Sequence, residues 1–238
     1  MIEFIQAPAS LPAGQRVYAV GDIHGCLDRL TDLHAAIRDD LAARPVAEPL
    51  LLHIGDYVDR GPDSASVVDT LARGSPLAGV PCVNLIGNHE EMMLEALAGD
   101  DPAAVVHWLT NGGADSLHSW GVPRAAPPTA WRGHIPDAHA AFLRALALFH
   151  RAGGYLFVHA GLRPGIAIGE QERRDLLWIR EPFLSWKRDF GAVVVHGHTP
   201  RAKPDIKVNR IGIDTGAVNG GMLSCAVLEE DRIGFLQT

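Results

Sequence analysis

Cysteine is scarce in this chain. Only Cys26, Cys82 and Cys225 occur among 238 residues, too few and too scattered for a disulfide framework or a thiolate zinc site. Reduced thiols in a cytoplasmic protein are the expectation. No run of roughly eighteen apolar residues occurs, so no membrane span is expected. Met1 to Gln15 lacks the basic start and apolar stretch of a secretory leader. Basic residues are in deficit, with 21 Lys and Arg against 28 Asp and Glu and a net charge of -7. That balance argues against a nucleic-acid partner, because non-specific binding needs a basic surface. It leaves room for a phosphorylated substrate, since metal ions and a few arginines can supply local positive charge. No internal repeat, low-complexity tract or inter-domain linker interrupts the chain, and nothing in it fixes an oligomeric state.

The apolar content is ample, at 47% hydrophobic and 21% charged residues. A chain of this length can bury roughly 70–75% of its unfolded surface, and a single domain over 1–238 is expected. The first half alternates apolar runs with helical patterns. Strands are expected at Arg16–Val20, Leu50–Ile54 and Val80–Ile86, and helices at Cys26–Ala43, Ser64–Arg73 and His89–Ala98. Strands separated by helices of this length imply right-handed β-α-β units and a parallel sheet. Residues 101–149 hold Trp108, Trp120 and Trp131, an Asn111-Gly112-Gly113 break and several prolines. They read as a helical insertion, either a substrate wall or a packed flank. The second half turns to strands, at Tyr155–His159, Val193–His196, Ile206–Asn209, Ile211–Asp214, Ser224–Leu228 and Ile233–Leu236.

Ligands of parallel sheets sit beyond the carboxyl ends of the strands, and that is where the polar motifs fall. They are Gly21-Asp22-Ile23-His24-Gly25, Gly55-Asp56-Tyr57-Val58-Asp59-Arg60-Gly61 and Gly87-Asn88-His89-Glu90, then His159-Ala160-Gly161 and Gly197-His198-Thr199-Pro200. Residues i and i+2 of an extended segment point the same way, so Asp22 and His24 can reach one metal ion. Asp56, with two carboxylate oxygens, is the natural bridge to a second ion about 3.5–4 Å away. Asn88, His159 and His198 supply an amide oxygen and two imidazoles to that second ion. The mixed O and N donors, without thiolate, suit manganese first, with iron or zinc as alternatives. A two-metal centre activates water and stabilises in-line attack at phosphorus.

The neighbouring residues have separate expected roles. His89 is the candidate general acid, and Asp59 would hold its other ring nitrogen. Arg60 and Asn88 would face the phosphate, where a guanidinium fork matches two oxygens. Arg180, on position alone, reads as a surface arginine. His196 reads as a strand-ending residue, His53 as a sheet histidine, Cys26 as a small buried residue and Met92–Met93 as helix packing. His107, His118, His134, His139 and His150 share no ligand spacing and are expected to decorate the insertion.

The ordered set Gly-Asp-x-His-Gly, Gly-Asp-x-Val-Asp-Arg-Gly and Gly-Asn-His-Glu resembles the phosphoprotein phosphatase family of calcineurin-like metallophosphoesterases. The later His-Ala-Gly, Trp-x-Arg, Gly-His-Thr-Pro and Ile-Asp-Thr-Gly-Ala-Val strings, and Trp108 to Gly113, look like its bacterial and phage serine/threonine phosphatase branch. The resemblance implies an α/β fold, a two-sheet β-sandwich flanked by helices with a dinuclear metal site at the strand C-terminal loops. It implies Asp22, His24 and Asp56 on one metal ion, and Asp56, Asn88, His159 and His198 on the other. It puts His89 and Asp59 at proton transfer and Arg60 and Arg180 on phosphate, and it favours His198 over His196. A phosphorylated protein or peptide is the implied substrate. A sister branch cleaving diadenosine tetraphosphate symmetrically is the alternative. It typically lacks the acidic residue of Val-Asp-Arg-Gly and has Asp for Glu in Gly-Asn-His-Glu, whereas this chain keeps Asp59 and Glu90. A metal-binding pseudoenzyme or scaffold is the remote alternative.

Overall fold

The computed structural model describes residues 2–99 and 101–238. The expected single-domain span of 1–238 thus includes Met1 and Asp100, which lie outside the described residues. The chain begins with β1 (Ile5–Gln6), β2 (Gln15–Val20), α1 (Leu27–Ala43), β3 (Glu48–His53), α2 (Ser64–Ala72), β4 (Cys82–Asn84) and α3 (Asn88–Ala98). A helical stretch follows, with α4 (Pro102–Trp108), a π-helical turn at Leu109–Gly113, α5 (Ala114–Ser119), α6 (Pro128–Trp131) and α7 (Asp137–Ala145). The remainder holds β5 (Phe149–Ala152), β6 (Tyr155–Val158), α8 (Arg173–Trp178), β7 (Val193–His196), β8 (Asp205–Ile206) and β9 (Arg210–Gly212). It closes with the hairpin of β10 (Ser224–Glu229) and β11 (Arg232–Gln237). No helix among the described residues is long and apolar enough to cross a membrane.

Two sheets result, one of six strands in the order β1-β11-β10-β2-β3-β4 and one of five in the order β5-β6-β7-β9-β8. In each, three adjacent strands are parallel, β2-β3-β4 and β6-β7-β9. The sandwich follows from alternation along the strands, since successive side chains point to opposite faces. Val17 and Ala19 of β2 pack with Leu52, Phe157, Val195 and Ile211 between the sheets. Tyr18 and Val20 face the other way, into a cluster with the helices. That cluster takes Leu30, Leu33 and Ile37 from α1 at helical spacing, with Val67 and Leu71 from α2 and Trp108 from α4. Leu33 is fully buried, and truncating such a leucine to alanine typically costs about 2–5 kcal/mol. Helix α1 stops at Arg44, where Pro45 disfavours a further helical residue. A third cluster, with Leu156, Val194, Leu176 and Phe183, covers the outer face of the second sheet.

Several boundaries differ from expectation. The strand read at Val80–Ile86 pairs with β3 only over Cys82–Asn84. Pro81 has no N–H to donate, and the Ile86 N–H turns aside to the Ala147 carbonyl at 2.8 Å. The strand read at Ile206–Asn209 is β8, Asp205–Ile206, because the chain reverses there and pairs Ile206 with Ile211. The segment read as helical to Phe149 ends its last helix at Ala145, and Phe149 opens β5, which pairs with β6. Strands β1 and β5 and helix α8 were not legible in the pattern, the first two because each is short and held by its partner strand rather than by its own periodicity.

Candidate dinuclear metal centre

Parallel pairing in register brings the strand ends level, with Val20 opposite His53 and His53 opposite Asn84. Asp22 and His24 leave β2, Asp56 to Arg60 leave β3, and Asn88 and His89 open α3. His159 and His198 follow β6 and β7 of the other sheet. Left-handed backbone is rare for residues with a Cβ. Here it occurs at His24, Asp56, Asp59, Arg60 and His198, and otherwise only at Glu230 among the described residues. Strain of this kind collects at functional sites, where the surrounding structure over-determines the backbone. Two glycines leave the room this requires. A Cβ on Gly87 would meet Asp56 Oδ1, and one on Gly197 would meet Asp22 Oδ1.

Asp56 is at the centre. Its Oδ2 lies 3.5 Å from His24 Nε2 and its Oδ1 3.4 Å from His159 Nε2. Two buried groups of donors therefore share it: His24, Asp56 and His89 on one side, and Asp56, His159 and His198 on the other. Asn88 Oδ1 joins the second group, 2.9 Å from His159 Nε2 and 2.8 Å from His198 Nδ1. Asp22 borders the second group, since its Oδ2 accepts from the His198 N–H at 2.9 Å. The backbone sets two of the rings. His24 Nδ1 lies 2.8 Å from the Val58 carbonyl and His159 Nδ1 3.0 Å from that of Ile54. Each Nδ1 therefore carries the proton, and each Nε2 lone pair faces the centre, as metal-ligating histidines require.

Electrostatics point the same way. Burial pushes Asp22 well above the usual carboxylate range, and the charges of Asp214 and Asp56 push it further. Burial would also raise Asp56, but the surrounding imidazoles of His159, His89, His24 and His198 outweigh it and hold its pKa down. Burial lowers His24 and His198 to about 3 and lowers His159 as well, so all three are neutral near pH 7. Neutral imidazoles and ionised carboxylates are the forms that bind metal; the histidines and Asp56 stand in that form, and a cation beside Asp22 would offset the burial and acidic neighbours that favour its protonated form. Asp22 Oδ1 is buried and has no hydrogen-bond partner. A buried polar atom without a partner is costly, and a cation between these carboxylates would satisfy it. The residues present therefore fit a pair of divalent ions.

The other expected site residues gather around this centre. His89 Nδ1 lies 2.7 Å from Asp59 Oδ2, with both residues buried. Burial works against protonation of His89, but Asp56 and Asp59 outweigh it and raise its pKa. Arg60 is exposed, with its Nη1 3.0 Å from His24 Nε2. Arg180, also exposed, reaches the His198 carbonyl at 3.5 Å. The two arginines thus stand beside different histidines of the cluster, Arg60 at His24 and Arg180 at His198. Of the remaining histidines, His53 sits in β3 against His34, with Nε2 atoms 3.0 Å apart. His196 packs edge-on against Phe183. His139 is buried rather than decorative, accepting from Trp120 Nε1 at 3.1 Å. Cys26, Met92 and Met93 are buried as expected.

Sequence reasoning gave no role to Glu90, which proves to be a hub. Its Oε2 accepts from the N–H groups of Asp56 at 2.9 Å and Gly87 at 2.8 Å. Its Oε1 accepts from those of Tyr57 at 2.7 Å and Val58 at 3.2 Å. A glutamate in the first turn of a helix that opens on a strand end was the available signal. Asp214 was also passed over, although it follows β9 as Asp22 follows β2.

This geometry defines a class. The chain belongs to the calcineurin-like phosphoesterase family, whose sequence profile matches residues 15–218. It is a metallophosphoesterase hydrolase, of a family that uses a dinuclear divalent metal site. Among its relatives is serine/threonine-protein phosphatase 1 of Salmonella typhimurium, 33% identical over 90% of this chain and 93% of that one. Another is the asymmetrical bis(5′-nucleosyl)-tetraphosphatase PrpE of Anoxybacillus flavithermus, 28% identical over 86% of this chain and 87% of that protein. A crystal structure provisionally assigned as a diadenosine tetraphosphatase superposes with a TM-score of 0.66 at 25% identity, covering 96% of this chain and 98% of the other.

Proposed function

We propose that this chain is a metal-dependent phosphomonoesterase acting on phosphoserine or phosphothreonine in proteins or peptides. In this reading Asp22, His24 and Asp56 hold one ion, and Asp56, Asn88, His159 and His198 hold the other. Manganese is the metal we expect, and the cytoplasm the compartment. When bound, such a pair activates water and stabilises in-line displacement at phosphorus. Arg60 and Arg180 hold non-bridging oxygens, and Asn88 also faces the phosphate. His89, kept protonated, hands a proton to the departing alkoxide, while Asp59 fixes the ring through Nδ1.

The observation that carries this choice is the His89–Asp59 pair at 2.7 Å. A serine alkoxide is strongly basic and needs a proton as it leaves. A nucleotide phosphate leaves as a far weaker base and needs that support less. A terminal phosphomonoester also presents three non-bridging oxygens, enough for both ions and both arginines, whereas an internal phosphate of a dinucleotide presents two. The resemblance to serine/threonine-protein phosphatase 1 supports the same reading. The relatives named as bis(5′-nucleosyl)-tetraphosphatases support the second reading, cleavage of a dinucleoside tetraphosphate. The test is the ratio of kcat/KM for a phosphoserine peptide and for diadenosine tetraphosphate under identical manganese and pH. We expect the peptide to be favoured. A tenfold preference for the dinucleotide, about 1.4 kcal/mol at the transition state, would replace this reading with the second.

A further inference from the structure

The segment from α4 to α5, read from sequence as a flank or a substrate wall, reaches into the interior behind the general acid. Asp59 is fully buried. Its carboxylate meets three donors, and only one of them is His89. Ser116 Oγ donates to Oδ1 at 2.6 Å. Trp108 Nε1 lies 3.0 Å from both oxygens, a bifurcated bond. The Asp59 N–H in turn donates to Ser116 Oγ at 2.8 Å and to Ser64 Oγ at 3.0 Å. Ser116 thus grips the residue from both ends, accepting from its backbone and donating to its side chain. The next N–H, that of Arg60, donates to the Gly112 carbonyl at 3.3 Å, inside the π-helical turn.

We propose that Trp108 and Ser116 are positioning residues for proton transfer, clamping the Asp59 carboxylate so that His89 is held in one orientation with its Nδ1–H on Asp59. The inference rests on the reading of His89 as general acid given above. Asp59 has left-handed backbone, with φ 74°, so its local chain is strained and would relax if released. A carboxylate bound only by one imidazole could rotate about its last torsion and carry the ring with it. With Ser116 on Oδ1 and Trp108 across both oxygens, only the Oδ2 lone pair facing His89 remains free, and the Nδ1–H of His89 has one place to go. His89 Nε2, the opposite ring nitrogen, is then the one left to serve the leaving oxygen. The same bonds solvate the buried charge in place of water, so the pair needs no opening to solvent. The helical segment between α3 and β5 therefore acts on the chemistry through Asp59, without touching substrate.

Two variants test this with little change of shape. Trp108→Phe keeps a buried aromatic ring and removes the indole N–H. Ser116→Ala removes the hydroxyl, and Ser116→Thr restores it. Each is assayed as the manganese-loaded full chain on 4-nitrophenyl phosphate, a good leaving group, and on phenyl phosphate and a phosphoserine peptide, which are poor ones. Metal content and Tm are measured in parallel, and His89→Asn serves as reference. Ser116→Ala and Trp108→Phe are each expected to lower kcat on the poor leaving groups by about tenfold, a part of the roughly 10²–10⁴-fold that general acid catalysis supplies. The loss on 4-nitrophenyl phosphate should be less than about threefold, metal content should be unchanged, and Ser116→Thr should recover most of the activity. If His89→Asn shows the leaving-group dependence while Ser116→Ala loses equally on all substrates, or on none, the clamp is refuted and the acid assignment stands. Should Trp108→Phe not fold, Ser116→Ala decides alone. If His89→Asn itself shows no leaving-group dependence, the acid assignment fails and the clamp falls with it.

Discussion

Glu90→Gln is an isosteric change with a large expected cost. Glu90 is fully buried, and its two oxygens each accept from two backbone N–H groups. Glutamine keeps one oxygen and turns the other into an NH2 donor. Whichever way the amide is set, two N–H groups are left facing a donor, either those of Asp56 and Gly87 or those of Tyr57 and Val58. Each unsatisfied buried donor costs roughly 1–3 kcal/mol, so the variant loses about 2–6 kcal/mol. For a domain of this size each kcal/mol lowers Tm by about 2–4 °C. Thermal unfolding followed by circular dichroism should therefore show a drop of at least about 4 °C. The same bonds fix the turn carrying Asp56, so metal affinity should fall as well. A Tm within about 1 °C of the parent, with unchanged metal content, would refute the view that Glu90 holds the Asp56 loop.

Two further outcomes follow from the same geometry. His89→Asn should retain its metal and lose roughly 10²–10⁴-fold in kcat on phosphoserine peptides, the usual scale for general acid catalysis, with a smaller loss on 4-nitrophenyl phosphate; equal losses would argue against proton donation. Burial lowers His34 to about 4 and His53 to about 3. Unfolded histidine binds its proton near pH 6.5, so between that value and about 4 the unfolded chain takes up more protons than the folded one. The stability from this pair is thus complete above pH 6.5 and is lost as pH falls towards 4. Urea midpoints at pH 7 and pH 5 should differ less in His34→Leu than in the parent, and an identical difference would contradict the assignment.

The site was more legible in the sequence than the fold around it. Metal-ligand types recur at the ends of apolar runs, and a parallel sheet puts those ends at one edge, so Asp22, His24, Asp56, Asn88, His159 and His198 could be gathered from spacing alone. The structure brings them together around Asp56. Arg180 was not legible on position, because its place depends on α8 and the turn after it, short elements without a strong period. Trp108 and Ser116 were hidden for a different reason. They lie 49 and 57 residues from Asp59, and an indole on an apolar helix reads as core, which this one also is. Glu90 likewise reads as an ordinary first-turn acid until the loop it binds is seen.

The central claim is that Asp56 joins two ions whose presence the hydrolysis requires. It is tested most directly by titrating the chelator-stripped protein with manganese while following bound metal and phosphatase activity together. The account predicts no activity in the stripped protein, recovery that tracks occupancy up to two ions per chain, and weakened binding of both ions in Asp56→Asn. Full activity without metal, or two ions bound to Asp56→Asn with unchanged affinity, would contradict it.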